Sequence, residues 1–337
     1  MSMYMVLIFS CSEGEYSTNI VIDWIWSKNT PFKRLNGSDF DNSHSYQISM
    51  NGEGLILKFE DEDEDSEVNP NEIKSTWYRR WGGIDFIDKA YGLTNDIHLN
   101  HQIRSTLYKD FFAIKEAITD SYACDRSLNK ESNTSPNKLN QLRIASNLNL
   151  NIPSTIVTSS RKHLLQFSEK FDSIITKSIQ DFAGLSVNSI PFALYTSTFS
   201  IEDIKSMPTE FFPSFFQEKI EKEFEIRSFY LEGKFYSMAI FSQSDQKTTT
   251  DFRNYNFDKP NRNIPFKIPA GIEEKLHSLM MALDLNCGSI DLIKASDGRY
   301  VFLEVNPIGQ FGMVSNPCNY YLEEIVAEYL VAGNNIN

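Results

Sequence analysis

Two short runs, Gly288-Ser289-Ile290-Asp291-Leu292-Ile293 and Phe302-Leu303-Glu304-Val305-Asn306-Pro307, flank the turn dipeptide Asp297-Gly298. Alternating segments on either side of Asp-Gly predict a hairpin over Ser289 to Val305. Antiparallel pairing brings Asp291 close to Glu304, and the two-residue period of a strand places Glu304 and Asn306 on one face. Three oxygen donors then converge. Mg²⁺ takes hard oxygen donors, keeps several waters and is shared between one or two carboxylates and substrate phosphates, which suits this set. Taken alone, the hairpin also fits a surface ribbon with ordinary polar outward positions.

A chain of 337 residues can build two or three lobes around such a hairpin. Its 41% hydrophobic and 13% aromatic content excludes a largely disordered chain. The start predicts a buried strand (Met3 to Phe9) and an amphipathic helix carrying Ile20, Val21, Trp24 and Ile25. Ser45 to Met50 and Leu55 to Phe59 flank Asn51-Gly52-Glu53-Gly54 and predict a hairpin; the acidic run Glu60 to Glu67 follows as a solvated loop. Ile103, Leu107, Phe111, Ile114 and Ile118 form one apolar helical stripe, expected in the core. The polar stretch Arg126 to Asn137 marks a lobe boundary. A helix (Asn137 to Leu148), a strand (Thr155 to Thr158), a helix (Ser160 to Phe171) and a strand (Ser173 to Ser178) come next. Strands over Phe215 to Ile220, Phe224 to Leu231 and Phe235 to Ser242, a helix over Gly271 to Leu283 and a C-terminal helix over Tyr320 to Val331 complete the pattern. These readings give an α/β protein with three regions, at 1–125, 135–215 and 216–337.

A net charge of −13 argues against a general nucleic-acid or anionic-membrane surface. Cationic side chains nonetheless fall at strand-associated positions. Lys177 ends the apolar strand Ser173-Ile174-Ile175-Thr176, where a buried stem presents an ammonium as a point charge. Arg227 alternates onto the same face as Glu225, and with Arg253 it offers planar donors to phosphoryl oxygens. Judged singly, each of these also fits a surface salt bridge. Cys11, Cys124, Cys287 and Cys318 show no metal-ligand spacing and read as reduced thiols. The five histidines (His44, His98, His101, His163 and His277) form no triad with them. Tyr4 to Phe9 lacks the flanks of a signal peptide, so a cytoplasmic location is the default expectation.

In order along the chain, a set of segments resembles the ATP-grasp superfamily, and within it the graspetide synthetases (microviridin-type, grasp-with-spasm peptide maturases). The segments are Trp77-Tyr78-Arg79-Arg80; Asn137-Lys138-Leu139 through Asn151-Ile152-Pro153-Ser154-Thr155; Lys177; Phe216-Gln217-Glu218; Phe224-Glu225-Ile226-Arg227; Asp251-Phe252-Arg253; Asp291; and Phe302 through Phe311. The resemblance implies an ATP-grasp fold with an N-terminal pre-ATP-grasp α/β domain, a central domain and a C-terminal ATP-grasp domain. It implies that Lys138 and Lys177 contact ATP phosphates and that Glu218, Lys219 and Ile220 form a hinge meeting adenine through its backbone. By the same resemblance Glu225 faces the ribose, Arg227 and Arg253 steady the transferred phosphoryl and the acyl phosphate, and Asp291, Glu304 and Asn306 hold Mg²⁺, two ions being expected.

The implied activity is that of an ATP-dependent peptide macrocyclase. It would phosphorylate Asp or Glu side chains of a precursor peptide with leader and core segments, then couple them to Thr or Ser hydroxyls (ester) or Lys amines (amide). The resemblance implies a homodimer as well, although the residues reveal no interface. Two features depart from the pattern: only Gly184 stands where many ATP-grasp enzymes carry a glycine-rich loop, and Phe252 replaces the usual Trp between Asp251 and Arg253. Another ATP-grasp carboxylate–amine ligase would keep the same nucleotide residues, and a nucleotide-binding regulator would have less need of all of them. Aromatics between Pro191 and Pro213, namely Tyr195, Phe199, Phe211 and Phe212, are candidates for docking a hydrophobic leader.

Overall fold

A computed structural model describes residues 5–40, 45–51, 54–60, 66–81, 94–135, 137–179, 185–187, 190–192, 196–242 and 261–332. Its contacts divide the chain into two compact units: Met1–Thr134 with Gln310–Ser315 and Tyr321–Asn337, and Ser135–Gly309 with Asn316–Tyr320.

In the first unit, strand β1 (Met5–Ser10) leads through helix α1 (Tyr16–Ser27) to β2 (Phe32–Asn36), which pairs with it in parallel. The predicted hairpin forms between β3 (Ser45–Asn51) and β4 (Gly54–Glu60), with β5 (Ser66–Val68) added on β4. Strand β6 (Ile73–Tyr78) pairs in parallel with the other side of β1; helix α2 (Ile97–Ser121) follows, and β7 (Arg126–Leu128) completes a sheet of order β2-β1-β6-β7. Val6 to Phe9 are each no more than 1% exposed, as expected for an apolar strand covered on both faces of a parallel sheet. The core gathers Leu7 and Phe9 with Leu57, Tyr78, Trp81, Phe111 and Ile118. Buried Tyr122 ties β4 to β5: its hydroxyl accepts from Leu57 N at 3.1 Å and donates to Val68 O at 2.6 Å.

The stripe expected on α2 is buried only in part, at Phe111 and Ile118. Leu107 and Ile114 are exposed, whereas Phe111, Lys115, Ile118 and Thr119 are buried. The helix is turned so that the Lys115 ammonium lies 5.7 Å from the ring centroids of both Tyr78 and Trp81.

The second unit opens with α3 (Lys138–Asn147), β8 (Thr155–Ser160), α4 (Arg161–Ser168) and β9 (Ile174–Thr176). A small hairpin, β10 (Leu185–Val187) with β11 (Ile190–Phe192), precedes β12 (Ser197–Phe199), α5 (Ile201–Ser206) and β13 (Glu210–Glu218). One sheet has the order β12-β9-β13-β8, packed on α4 and α5 through Leu164, Ile174, Ile204 and Phe216. The other contains β14 (Lys222–Leu231), β15 (Lys234–Phe241), β16 (Arg262–Phe266), β17 (Cys287–Ala295) and β18 (Tyr300–Asn306), antiparallel in the order β16-β15-β14-β17-β18. Glu232 and Gly233, with φ of 45° and 83°, make the tight connection from β14 to β15. Helix α6 (Ala270–Ala282) precedes β17, and α7 (Gly312–Cys318) and α8 (Leu322–Val331) end the described chain.

Alternation along the five-stranded sheet separates its two faces. Ile226, Tyr230, Ile290, Leu292, Phe302 and Val305 bury themselves against Leu142 and Ala145 of α3 and Leu276, Leu279 and Met280 of α6. The intervening residues, Glu225, Arg227, Asp291, Glu304 and Asn306, therefore share the opposite face. Among the described residues no helix is long and apolar enough to cross a membrane.

Candidate active site

The β17–β18 hairpin forms in the expected register: Asp291 stands opposite Glu304 and Ser289 opposite Asn306. The pairing slips between Asp291 and Leu292, leaving Leu303 as an extra residue, so Leu303 and Glu304 both line the cleft beside the sheet. Bulges commonly re-aim side chains next to active sites in this way. Arg227, opposite Asp291 on β14, places its Nη1 3.4 Å from Asp291 Oδ2. Its buried Nε–H meets no acceptor among the described residues. A guanidinium is desolvated at such a place only when an anion answers it, and Asp291 covers one edge of the fork.

Asn137 caps α3, its side chain accepting hydrogen bonds from the N–H groups of Leu139 and Asn140. The cap fixes the first turn, where Lys138 reaches across to place Nζ 3.2 Å from Glu304 Oε2. Lys177, one residue beyond β9, brings its Nζ to 3.6 Å from the same oxygen. Two ammonium groups from separate elements thus meet on one carboxylate.

The cleft encloses about 690 Å³, its open mouth included. Pro153, Ile175, Ile220, Ile293 and Leu303 give it apolar walls, and Lys177, Glu225, Asp291 and Glu304 give it charge. Glu218 and Ile220 line it directly, with Lys219 between them. The segment is anchored from both sides: Glu218 N donates to Ser154 O at 3.0 Å, Ser154 N donates to Glu218 Oε1 at 3.1 Å, and Lys219 N donates to Ser173 O at 3.1 Å. Glu225 is buried and paired with Lys222.

Of the residues singled out from the sequence, Lys177, Glu218, Ile220, Glu225, Asp291 and Glu304 line one cleft. Lys138 and Arg227 touch two of its carboxylates, and Asn306 shares their face. Arg253, with Asp251 and Phe252, lies outside the described residues, as does Gly184. Among the described residues no group of three or more His, Cys, Asp and Glu is placed to hold a metal ion; the third oxygen donor here is an amide.

Three further residues lie at the cleft or beside its lining. Gln217 lines the cleft and is fully buried; its Nε2 donates to Thr155 Oγ1 at 3.1 Å, and its Oε1 has no donor among the described residues. Ser289, across from Asn306, is equally buried, with a hydroxyl that has no partner among the described residues. Lys222 belongs to the charged run Glu221-Lys222-Glu223, whose composition does not disclose its pairing with Glu225.

The donor set fits Mg²⁺ and a nucleoside triphosphate. Asp291, Glu304 and Asn306 are hard oxygen donors of the kind Mg²⁺ takes. Lys138, Lys177 and Arg227 match phosphate oxygens, and the apolar walls match a purine ring.

Residues 5–135 match the family model described as the MvdD pre-ATP grasp domain. The whole chain resembles several solved structures. It matches a RiPP-associated ATP-grasp ligase of Chryseobacterium gregarium, in complex with ADP and a leader and core peptide, with a TM-score of 0.83, 22% identity and coverage of 98% of this chain and 97% of that one. The macrocyclase MdnC of Microcystis aeruginosa, bound with the precursor peptide MdnA, matches at a TM-score of 0.79 and 26% identity over 97% of this chain and 99% of that one. The macrocyclase MdnB of the same organism matches at 0.72 and 24%, with the same coverage. No curated protein sequence matches the chain.

Proposed function

We propose that this chain, an ADP-forming ATP-grasp ligase whose residues 5–135 form an MvdD-type pre-ATP-grasp domain, closes rings within a ribosomal precursor peptide. A carboxylate does not condense with an alcohol or amine at neutral pH. An Asp or Glu side chain of the peptide therefore first takes the γ-phosphoryl of ATP, giving an acyl phosphate and ADP. A Thr or Ser hydroxyl, or a Lys amine, of the same peptide then attacks the carbonyl carbon. The C–O bond to phosphate breaks, phosphate leaves with the electron pair, and the attacking group loses its proton. Each ring removes the elements of one water from the peptide.

The observation that carries this reading is the meeting of Lys138 and Lys177 on Glu304, beside the Arg227–Asp291 pair, on one face of one sheet. In this reading Asp291, Glu304 and Asn306 would hold Mg²⁺, which would supply neutralisation of phosphate charge. Lys138 and Lys177 draw the phosphates toward the hairpin. Arg227, already desolvated and aimed, stabilises the charge that develops on the transferred phosphoryl, and Arg253 is assigned the same role. The hinge at Glu218, Lys219 and Ile220 supports the adenine through backbone groups not already tied to Ser154 and Ser173. Glu225 faces the ribose. No enzyme nucleophile is required.

The peptide assignment is supported by likeness along the full chain to ligases solved with leader, core and precursor peptides. A hydrophobic leader residue would dock on Phe212, which is 86% exposed, whereas Phe211 packs on the core around Phe216 with Phe199. Tyr195 lies outside the described residues. Leader affinity unchanged in a folded Phe212→Ala variant would remove this docking point.

Mass spectrometry of a precursor peptide encoded nearby, incubated with the protein, ATP and Mg²⁺ beside a Glu304→Ala control, tests the function. Loss of one water per ring, absent in the control, is the expected result. ATP hydrolysis with an unchanged peptide would redirect the reading toward another carboxylate–amine ligase, and neither change would favour a nucleotide-binding regulator.

A further inference from the structure

Among the described residues strand β18 is an edge strand, its free side pairing only through the isolated bridge from Asn151 to Val301. At Val305, between the two oxygen donors Glu304 and Asn306, that side is occupied by a single side chain. Gln141 of α3 accepts from Val305 N at 2.7 Å through Oε1 and donates to Val305 O at 3.1 Å through Nε2. Its amide thus serves as a one-residue strand, and both partners are buried, Gln141 being 2% exposed and Val305 4%. Gln141 also lies one helical turn beyond Lys138, whose ammonium meets Glu304.

Resting on the ATP-grasp reading of this cleft, we propose that Gln141 is a positioning residue for the Mg²⁺ site. By clamping the backbone at Val305 it fixes the direction in which Glu304 and Asn306 leave the strand, and it sets Lys138 against the same carboxylate. Side chains on either side of a strand residue follow that residue's backbone orientation, so a rotation at Val305 moves both donors at once. Partners that orient ligands from behind typically change metal affinity by about 10- to 100-fold when removed. A fork that engages both backbone groups of one residue is a stronger restraint than the ordinary cover of an edge strand. Elsewhere on β18 such cover is supplied by Asn151, whose carbonyl accepts from Phe302 N at 2.8 Å and whose Nδ2 donates to Tyr300 O at 3.3 Å.

The test compares Gln141→Met, which keeps length and volume but removes both hydrogen bonds, with Asn151→Ala on the same edge, away from the donors. Mn²⁺ binding in the presence of ADP, followed by electron paramagnetic resonance, is the primary reading; the Mg²⁺ dependence of ATP turnover is the second. Gln141→Met is expected to weaken Mn²⁺ binding about 10-fold or more and to raise the Mg²⁺ half-saturation in parallel, with kcat largely recovered at high Mg²⁺. Asn151→Ala should lower thermal stability without moving either. If Gln141→Met is less stable but binds Mn²⁺ as the wild type does, Gln141 only covers the edge and the proposal falls. Should Gln141→Met not fold, Gln141→Glu serves instead: it keeps the acceptor for Val305 N and sets a carboxylate against Val305 O, and unchanged Mn²⁺ binding there would equally overturn the proposal. A wild-type protein that binds no Mn²⁺ with ADP would bring down the ATP-grasp reading itself, a different outcome.

Discussion

A side chain at Gly288 would crowd the hairpin it belongs to, forcing its neighbours to give by a few tenths of an ångström. A Cβ there would lie 3.1 Å from Asn306 O and 3.2 Å from Pro307 Cα, both backbone atoms with little freedom to retreat. Gly288→Ala should therefore push Asn306 away from Asp291 and Glu304 while leaving the rest of the sheet folded. We expect a loss of about 10-fold or more in kcat, since small displacements of a positioned group are costly to catalysis. Steady-state kinetics beside circular dichroism would check it. Arg227 offers a sharper separation: Arg227→Lys keeps the charge but not the planar fork that leaves Nε–H open beside Asp291. Turnover should fall about 100-fold, with little change in the KM for ATP, if the guanidinium acts on the transferred phosphoryl. A rise in KM at unchanged kcat would instead assign it to ground-state binding. Asp291, Glu304 and Asn306 were legible in the sequence because strand period and an Asp-Gly turn are local rules. Gln141 and Gln217 were not, since an amide gains its meaning only from what it faces, and Gln141 faces a backbone 164 positions away.

At the scale of elements, polar residues in buried strands defeat a reading by alternation. Strand β6 has Ser75 and Thr76 buried, with Ser75 Oγ donating to Leu330 O at 2.8 Å and Thr76 Oγ1 donating to Ser127 Oγ at 2.6 Å. Both partners are distant in sequence, so Ile73–Tyr78, though rich in strand-favouring Ile, Thr, Trp and Tyr, shows no alternation that would mark it as a strand. Helix α2 differs: of its expected apolar stripe Phe111 and Ile118 are buried and Leu107 and Ile114 are not, and Lys115 is drawn in among Tyr78, Trp81 and Phe112. Burial lowers the Lys115 ammonium from 10.5 to about 8. Between those values the unfolded chain holds a proton that the folded chain has released, so this group makes stability rise with pH; its cost is fully present below about pH 8. Replacement by the similarly long Met should stabilise the protein at pH 7 by about 1–3 kcal/mol, the aromatic contacts offsetting part of the desolvation. The advantage should shrink between pH 8 and pH 10 in urea unfolding followed by Trp fluorescence; a constant difference would mean that the proton on Lys115 is not what limits the wild type.

Over the whole molecule, charge is distributed against the average. A chain of net charge −13 gathers Lys138, Lys177, Lys222 and Arg227 around one cleft, each held by a carboxylate. Such pairs satisfy the cations without filling the cleft, and an anionic ligand with its divalent ion can exchange into the same network. Every residue lining the cleft falls between Pro153 and Glu304, within the second unit. Helix α8 belongs with the first unit through contacts such as Arg126 Nη1 donating to Tyr329 O at 3.1 Å, a grouping that local patterns in the sequence have no means of revealing. ADP with Mg²⁺ should therefore slow amide exchange at residues 174–177, 217–220 and 287–306 and leave β1 and β6 unchanged. Saturation at 100 times Kd adds about 2.7 kcal/mol to whatever cooperative unit contains the site. If the hairpin holds the ion and the hinge the base, as proposed, chelation of the metal should reverse most of that protection at the hairpin and less of it at 217–220. Protection that appears in β1 and β6 with equal strength would instead mean that the two units unfold as one, and that the nucleotide stabilises the chain as a whole.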